Sequence, residues 1–374
     1  MRVAYYSPMP PSRSGIADYS ALLVPALAKR VDVVLARPPG RFRRKRFRGN
    51  PVADIALYHV GNDPAEHGWI VEALRRRPGV VVLHEFVLHH LVSGITLARG
   101  DVQAYSAALE RDAGPLGRQL GQAVADGRIR PLWETRPQDY PLAGEVLDLA
   151  TGLIVHSRYV EERARGAGYR GPVWQVPMPA WPVPAVEPAA VEGSPLLGSF
   201  GHVNESKRIP QLFEAFARLH ARRPEARLLL VGSWSPRFAA LEAPAGVIRK
   251  DYVAEGELWR LLAACDAVVS LRWPTMGETS AAAIRALSLG KPLVVSDVGW
   301  FSELPDSVAA KVPVGEGEIE QLERALEQTA TTPEMGAAAL ELARTEHDLE
   351  RVADLYAAAL AEGSRLSLTL GSAA

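Results

Sequence analysis

Four clusters of residues have types and spacing suited to chemistry on an anionic ligand. The first is Gly277-Glu278-Thr279-Ser280, which stands between an apolar run (Ala267 to Leu271), a Pro/Gly loop and a helical pattern leading to a second apolar run (Pro292 to Ser296). A helix opening at Glu278-Thr279-Ser280 presents backbone N–H groups and hydroxyls at the positive end of its dipole, where phosphate binds readily. Thr279 or Ser280 would serve equally as an ordinary N-cap, so this pattern alone leaves both readings open. The second is Gly15, at the end of the loop SPMPPSRS and the start of a helical pattern, where the missing side chain permits close approach of a ligand or a tight bend.

The third cluster is His84, Glu85, His89 and His90, at the tail of an apolar run. Metal ligands on a helix converge at i, i+4, and only Glu85 and His89 have that spacing. The pattern therefore favours a strand-end histidine, His84, acting on a ligand over a metal centre. The fourth is the loop GHVNESKRI, with Lys207 and Arg208 after a short apolar run. A separate basic run, RFRRKRFR from Arg41 to Arg48, suits either a solvated loop or a patch for anionic lipid headgroups or a phosphorylated acceptor.

The elements that must position these residues alternate regularly. The 374 residues are 48% hydrophobic and 23% charged, the balance of a globular protein large enough for two domains. A formal net charge of −1 argues against nucleic acid as a partner. The single cysteine, Cys265, excludes an intrachain disulfide and a multi-cysteine zinc site, and reads as a small buried hydrophobe. The start MRVAYYSPMPP lacks the pattern of a signal peptide, and no apolar run approaches the length of a membrane span, so a cytoplasmic location is expected.

Strand-like runs at Arg2–Tyr6, Val31–Ala36, Ile55–His59, Val80–Leu83, Gly152–His156 and Val173–Pro179 make a first α/β unit over 1–180. The Pro/Ala-rich stretch from 181 to 195 reads as a linker. The pattern restarts at Leu196–Phe200 and continues through Arg227–Val231, Val247–Arg249, the first cluster and Ala309–Val312. A second doubly wound unit over 196–347 follows, with a final amphipathic helix at 348–362 and a disordered tail.

The segments PPSRSGIADYS, IVHSRYVEERARGAGY, SFGHVNESKRIPQLFEAFARL, LLLVG, DYV and above all GETSAAAIRALSLGKPLVVSDVGWFSEL resemble retaining glycosyltransferases of family 4, across about residues 1 to 360. The resemblance implies the GT-B fold: two Rossmann-like α/β domains facing across a cleft, with the last helix crossing back to the N-terminal domain. It implies that Lys207 neutralises the donor diphosphate and that Gly15 meets the diphosphate from the other domain. It places Tyr252 and Val253 around the nucleobase and His84 beside the donor sugar.

Two departures stand out. His202 occupies the position of the family's usual arginine, five residues before Lys207, and Arg208 could compensate for it or be a surface charge. Two glutamates seven residues apart are usual in the family; aligned on Gly290-Lys291-Pro292, the first falls on Gly277, with Glu278 one position later, and the second on Arg285. Arg285 could reach a phosphate or form an ion pair with Glu278 or Glu303.

The implied reaction transfers a sugar from a nucleotide-diphosphate sugar to a hydroxyl of a glycan or lipid-linked acceptor, with catalytic roles for His84, Lys207 and Glu278. No metal and no other cofactor is expected. Two rivals share the fold: a catalytically degenerate nucleotide-sugar-binding subunit, and a sugar-nucleotide epimerase.

Overall fold

Among the described residues, twelve short apolar segments form two six-stranded sheets in which every pairing is parallel. The structure, a computed structural model, describes residues 1–12, 14–38 and 51–371, with the side chains of 367–371 excepted. The basic run Arg41–Arg48 lies outside the described residues.

The first unit comprises Met1–Pro177, Met276–Thr279 and Leu349–Ala374. Its strands are β1 (Arg2–Tyr6), β2 (Asp32–Leu35), β3 (Ile55–Val60), β4 (Gly79–Leu83), β5 (Ala150–Val155) and β6 (Val173–Gln175), in the order β2-β1-β3-β4-β5-β6. Every residue of β3 and β4 is buried, because helices cover both faces of the sheet. The strand expected at Val173–Pro179 stops at Gln175; Pro177 and Pro179 have no N–H to donate to a ladder.

The last helix spans Leu349–Gly371, longer than the expected 348–362, so the tail expected to be disordered continues it as far as Gly371. Gly363 does not break the helix because it is packed: a Cβ there would lie 3.2 Å from Val80 and 3.4 Å from Ile55 and Trp174. Beside the helix Gly15–Leu27, Tyr356 and Tyr19 share a 2.6 Å hydroxyl contact, and Arg30 Nε donates to Asp354 at 2.6 Å.

A side cluster of Tyr105, Leu109, Val124, Leu132 and Tyr140 organises residues 97–142. Its helices Val102–Ala113 and Pro115–Ala125 cross closely at glycine, since a Cβ on Gly117 would sit 2.0 Å from the Leu109 carbonyl.

The second unit comprises Met178–Thr275 and Ser280–Asp348. Its strands are β7 (Leu196–Phe200), β8 (Arg227–Val231), β9 (Val247–Lys250), β10 (Ala267–Ser270), β11 (Leu293–Ser296) and β12 (Ala309–Val312), in the order β12-β11-β10-β7-β8-β9. Cys265 is buried and donates to the Leu261 carbonyl, and burial pushes its thiol up to about 12, which makes it inert. Among the described residues no helix is long and apolar enough to cross a membrane.

Each sheet reverses its direction of growth once, between β1 and β3 in the first unit and between β7 and β10 in the second. Loops beyond the carboxyl ends of strands diverge at such a point and leave a crevice suited to ligands. Gly15 follows the loop after β1, Lys207 follows β7, and Gly277 to Ser280 follow β10.

Candidate active site

In the second unit the loop after β7 is held by its own side chains. Asn204 Oδ1 accepts from Ser206 N at 3.2 Å and caps the single turn Glu205–Lys207. Lys207 is half-buried, with Nζ 3.5 Å from the Phe200 carbonyl. Arg208 adopts the left-handed conformation (φ +52°) and begins the helix Ile209–Arg222. Its guanidinium is bidentate to buried Glu318, with Nε 2.5 Å from Oε1 and Nη2 on Oε2. Glu318 thereby compensates the Arg208 charge locally. His202 is exposed, with Nδ1 2.9 Å from Ser233 Oγ.

The loop after β10 meets the loop after β7 at the reversal point. Trp273 N donates to the Ser206 carbonyl at 2.7 Å, and Arg272 Nη1 donates to Ser206 Oγ at 3.0 Å. A guanidinium absent from the expected site thus stands against the residue next to Lys207. Tyr252 is exposed and Val253 half-buried, beyond the end of β9.

Ser280, at the N-cap of the helix Ala281–Ser288, accepts from Ala283 N at 3.3 Å, so this hydroxyl does the ordinary capping job. The helix begins later than the expected Glu278-Thr279-Ser280 opening. Arg285, on this helix, is buried with its guanidinium 3.8 Å over the Trp181 ring and 3.7 Å from Glu255. Glu255, a carboxylate that the sequence did not single out, is thus one neighbour of its guanidinium. Trp181, from the Pro-rich stretch, is a partner that composition did not reveal.

Met276–Thr279 belongs to the first unit, where the Met276 carbonyl accepts from Phe86 N at 2.8 Å and Val87 N at 3.1 Å. Gly277 takes φ +91°, and a Cβ there would lie 3.0 Å from Phe86 N and 3.1 Å from Val160. A glutamate cannot occupy this position without strain; the carboxylate is carried by Glu278, which accepts from Met276 N at 2.7 Å. Thr279 is buried, and its Oγ1 has no hydrogen-bond partner. Gly15 starts its helix after the N-cap Ser14, and a Cβ on it would meet nothing within 4 Å. The chain's own packing does not demand glycine there.

His84 lies at the end of β4, buried within a cluster that sequence reasoning missed. Its Nε2 is 3.0 Å from His59 Nδ1, and its ring centroid is 5.1 Å from that of His156 and 5.0 Å from that of Tyr19. The register pairs Val60 with Leu83 and Leu83 with Val155, so the tails of β3, β4 and β5 lie side by side. Burial, and then the neighbouring rings, hold His84 and His59 well below the usual histidine range, so both are neutral near pH 7. His89 is elsewhere: its Nδ1 donates to the Tyr140 carbonyl at 2.7 Å, and its Nε2 accepts from the Tyr105 hydroxyl at 2.8 Å. Among the described residues no group of three or more His, Cys, Asp or Glu is arranged to hold a metal ion.

Comparison with known proteins gives this arrangement a context. Residues 194–332 match the family model of Glycosyl transferases group 1. No curated protein matches the chain by sequence. Among solved structures, HepE of Anabaena in complex with UDP and glucose superposes with a TM-score of 0.61, at 15% identity, over 97% of this chain and 100% of its own. Sucrose-phosphate synthase of Thermosynechococcus elongatus gives 0.60 at 17% identity over 100% of both chains. WaaG, a glycosyltransferase involved in lipopolysaccharide biosynthesis, gives 0.55 at 14% identity over 96% of this chain and 98% of its own. At such identities these likenesses are of fold. Residues 194–332, within the second unit apart from Met276–Thr279, thus resemble group 1 glycosyltransferases, and the chain shares the GT-B fold of these structures.

Proposed function

We propose that the protein is a retaining glycosyltransferase that moves a sugar from a nucleotide-diphosphate sugar to an acceptor hydroxyl in glycan or cell-envelope polysaccharide synthesis. The observation that carries this reading is the group 1 match over residues 194–332, which contains His202, Lys207, Tyr252, Val253, Glu278 and Arg285. HepE is a structure with UDP and glucose, so UDP-glucose is the first donor to test.

In this mechanism the bond from the anomeric carbon to the diphosphate breaks while a bond to the acceptor oxygen forms on the same face. The acceptor proton passes to the departing phosphate, so no carboxylate is needed as nucleophile or base. Negative charge grows on the diphosphate, and fixed donors aimed at it lower the barrier most. Lys207 supplies the cation, and the amides at Gly15 and at Gly277 to Ser280 supply neutral donors. His84 and Glu278 contact the donor sugar, Tyr252 and Val253 pack around the base, and His202 and Arg285 line the donor site. The protein acts on the cytoplasmic side, with Arg41–Arg48 drawn to an anionic surface that carries a lipid-linked acceptor.

A thermal-shift screen of nucleotide diphosphates and their sugars tests the assignment, because a ligand that prefers the folded state raises the melting temperature. Lys207→Ala should weaken nucleotide-sugar binding by about 10- to 100-fold, the worth of a hydrogen bond to a charged group. Equal binding by the variant, with neither transfer nor hydrolysis by the unmutated protein, would identify a binding subunit. Interconversion of the free nucleotide sugar without an acceptor would identify an epimerase. Sedimentation with anionic vesicles, with and without Arg41–Arg48, tests the surface contact.

A further inference from the structure

The contact between His59 and His84 decides what chemistry His84 can perform. Their facing nitrogens, His59 Nδ1 and His84 Nε2, are 3.0 Å apart, so one carries a proton and the other accepts it. The far side of the His59 ring distinguishes the two arrangements. His59 is 0% exposed, and its Nε2 has no hydrogen-bond partner. Aromatic rings surround it, with Tyr5 at 4.5 Å, Tyr19 at 5.8 Å and Tyr356 at 6.4 Å between centroids.

If His84 donated from Nε2, a neutral His59 would carry its own proton on Nε2, a buried N–H without an acceptor. If His59 donates from Nδ1, its Nε2 is a bare lone pair. Orphaned buried N–H groups are the rarer defect, because a donor has a single proton to satisfy and loses its full solvation when it finds no partner. Deep burial also excludes a doubly protonated His59 near neutral pH.

We propose that His59 is a positioning residue that donates its Nδ1–H to His84 Nε2 and thereby fixes His84 as the Nδ1–H tautomer. The neighbouring rings are set in the same way by backbone carbonyls. His67 Nδ1 donates to the carbonyl of His59 at 3.1 Å, and His156 Nδ1 donates to that of Val176 at 2.7 Å. His84 then offers a ligand a neutral N–H donor and no free lone pair. It can hold an oxygen of the donor sugar, and it cannot take the proton of the acceptor hydroxyl. This deepens the transferase reading and rests on it where the ligand is concerned: the proton goes to the leaving phosphate because the one histidine beside the sugar has no nitrogen free to accept it.

Two-bond proton–nitrogen spectra of the whole protein with ¹⁵N-labelled histidine rings read the tautomer directly, with His84→Asn used to assign the signals. The expected result is a protonated Nδ1 and an unprotonated Nε2 on His84. A His84 protonated on Nε2, or an even mixture, overturns the proposal. His59→Asn retains an amide N–H near the Nδ1 position and should keep the His84 tautomer and the transfer rate. His59→Phe removes the donor, so His84 should shift toward the Nε2–H form and kcat should fall about tenfold, about 1.4 kcal/mol, with a smaller change in KM. An unchanged spectrum and rate in His59→Phe also overturn the proposal. Should that variant fail to fold, the spectra of the unmutated protein and of His59→Asn still decide between the two tautomers. Saturating UDP-glucose separates the two readings: unmoved His84 signals would remove the donor-site assignment while the tautomer result stands.

Discussion

Arg208 is bidentate to the buried carboxylate of Glu318, immediately after Lys207 in the chain. Glu318 also accepts from Gly315 N at 3.2 Å, so the pair ties the start of the helix Ile209–Arg222 to the turn before Glu318–Thr329. Arg208 thus has a structural task, whereas the neighbouring Lys207 is the residue proposed to bind the donor. Removing one partner of a buried pair strands the other charge and costs about 3 to 5 kcal/mol, whereas replacing both with apolar groups can be neutral. Arg208→Met should therefore lower unfolding stability by about 3 kcal/mol in urea melts, and Arg208→Met with Glu318→Leu should recover most of it. Lys207→Ala should cost less stability than Arg208→Met while weakening donor binding. Equal destabilisation by the two single variants would contradict the division.

Arg285 presents a second contrast between alignment and packing. Its position is where the family's second glutamate falls, yet Trp181 lies against its guanidinium and Glu255 nearby. Restoring the glutamate would place an anion on an aromatic face beside another carboxylate. Arg285→Glu should destabilise the protein by about 3 kcal/mol or more, from a desolvated cation–π contact worth about 2 and the cost of an unpaired buried charge. Arg285→Lys should recover only part of this, since a guanidinium stacks in a way that an ammonium does not. Calorimetric melts of the two variants decide it, and a stable Arg285→Glu protein with stronger nucleotide affinity would show that the ribose contact had been restored.

The strands were legible because both sheets are parallel and covered, so their segments read as plain apolar runs; β1, β7, β8 and β12 fall where the pattern put them. What the pattern could not supply was adjacency. The tails of β3, β4 and β5 each contain a histidine, and a repeated strand-end histidine was visible in YHV, LHE and VHS. That these tails touch follows only from the sheet order β3-β4-β5 and its register. The sequence neighbours His84 and His89 looked like one cluster, yet the chain turns between them and sends His89 to Tyr105 and Tyr140. Arg272 was hidden for the same reason, since its contact with Ser206 depends on β10 lying next to β7.

The two glycines proposed to meet the diphosphate should respond oppositely to alanine. Gly277 needs its positive φ and is crowded by Phe86 and Val160, so Gly277→Ala should cost about 1 to 3 kcal/mol of stability. Gly15 has open space around a Cβ, and alanine favours a helix over glycine by up to about 1 kcal/mol, so Gly15→Ala should leave stability unchanged or slightly raised. Its effect should appear in KM for the donor, because the methyl group enters the space assigned to the diphosphate. A Gly15→Ala enzyme with unchanged KM would remove Gly15 from the donor site.

The buried histidines make stability depend on pH with a definite sign. Burial first, then neighbouring rings, hold His59 and His84 well below the usual histidine range, and burial brings His67 and His89 down to about 4. In the unfolded chain these groups titrate near 6.5, so between about pH 6.5 and 4 the unfolded state binds protons that the native state refuses. Their contribution is fully present above that window and is lost as pH falls through it, by up to about 1.4 kcal/mol per pH unit for each histidine. Asp112 acts in the opposite direction, because burial raises it to about 6 and the native state then holds a proton that the unfolded chain releases. One carboxyl offsets one of four histidines, so the net slope remains destabilising on acidification. Urea melts at intervals from pH 7.5 to 4.5 should show a falling midpoint. His67→Asn, which keeps an N–H for the His59 carbonyl but cannot titrate, should flatten the slope by about one proton. A midpoint independent of pH across this range, with the same flat profile in His67→Asn, would count against neutral buried histidines in the folded protein.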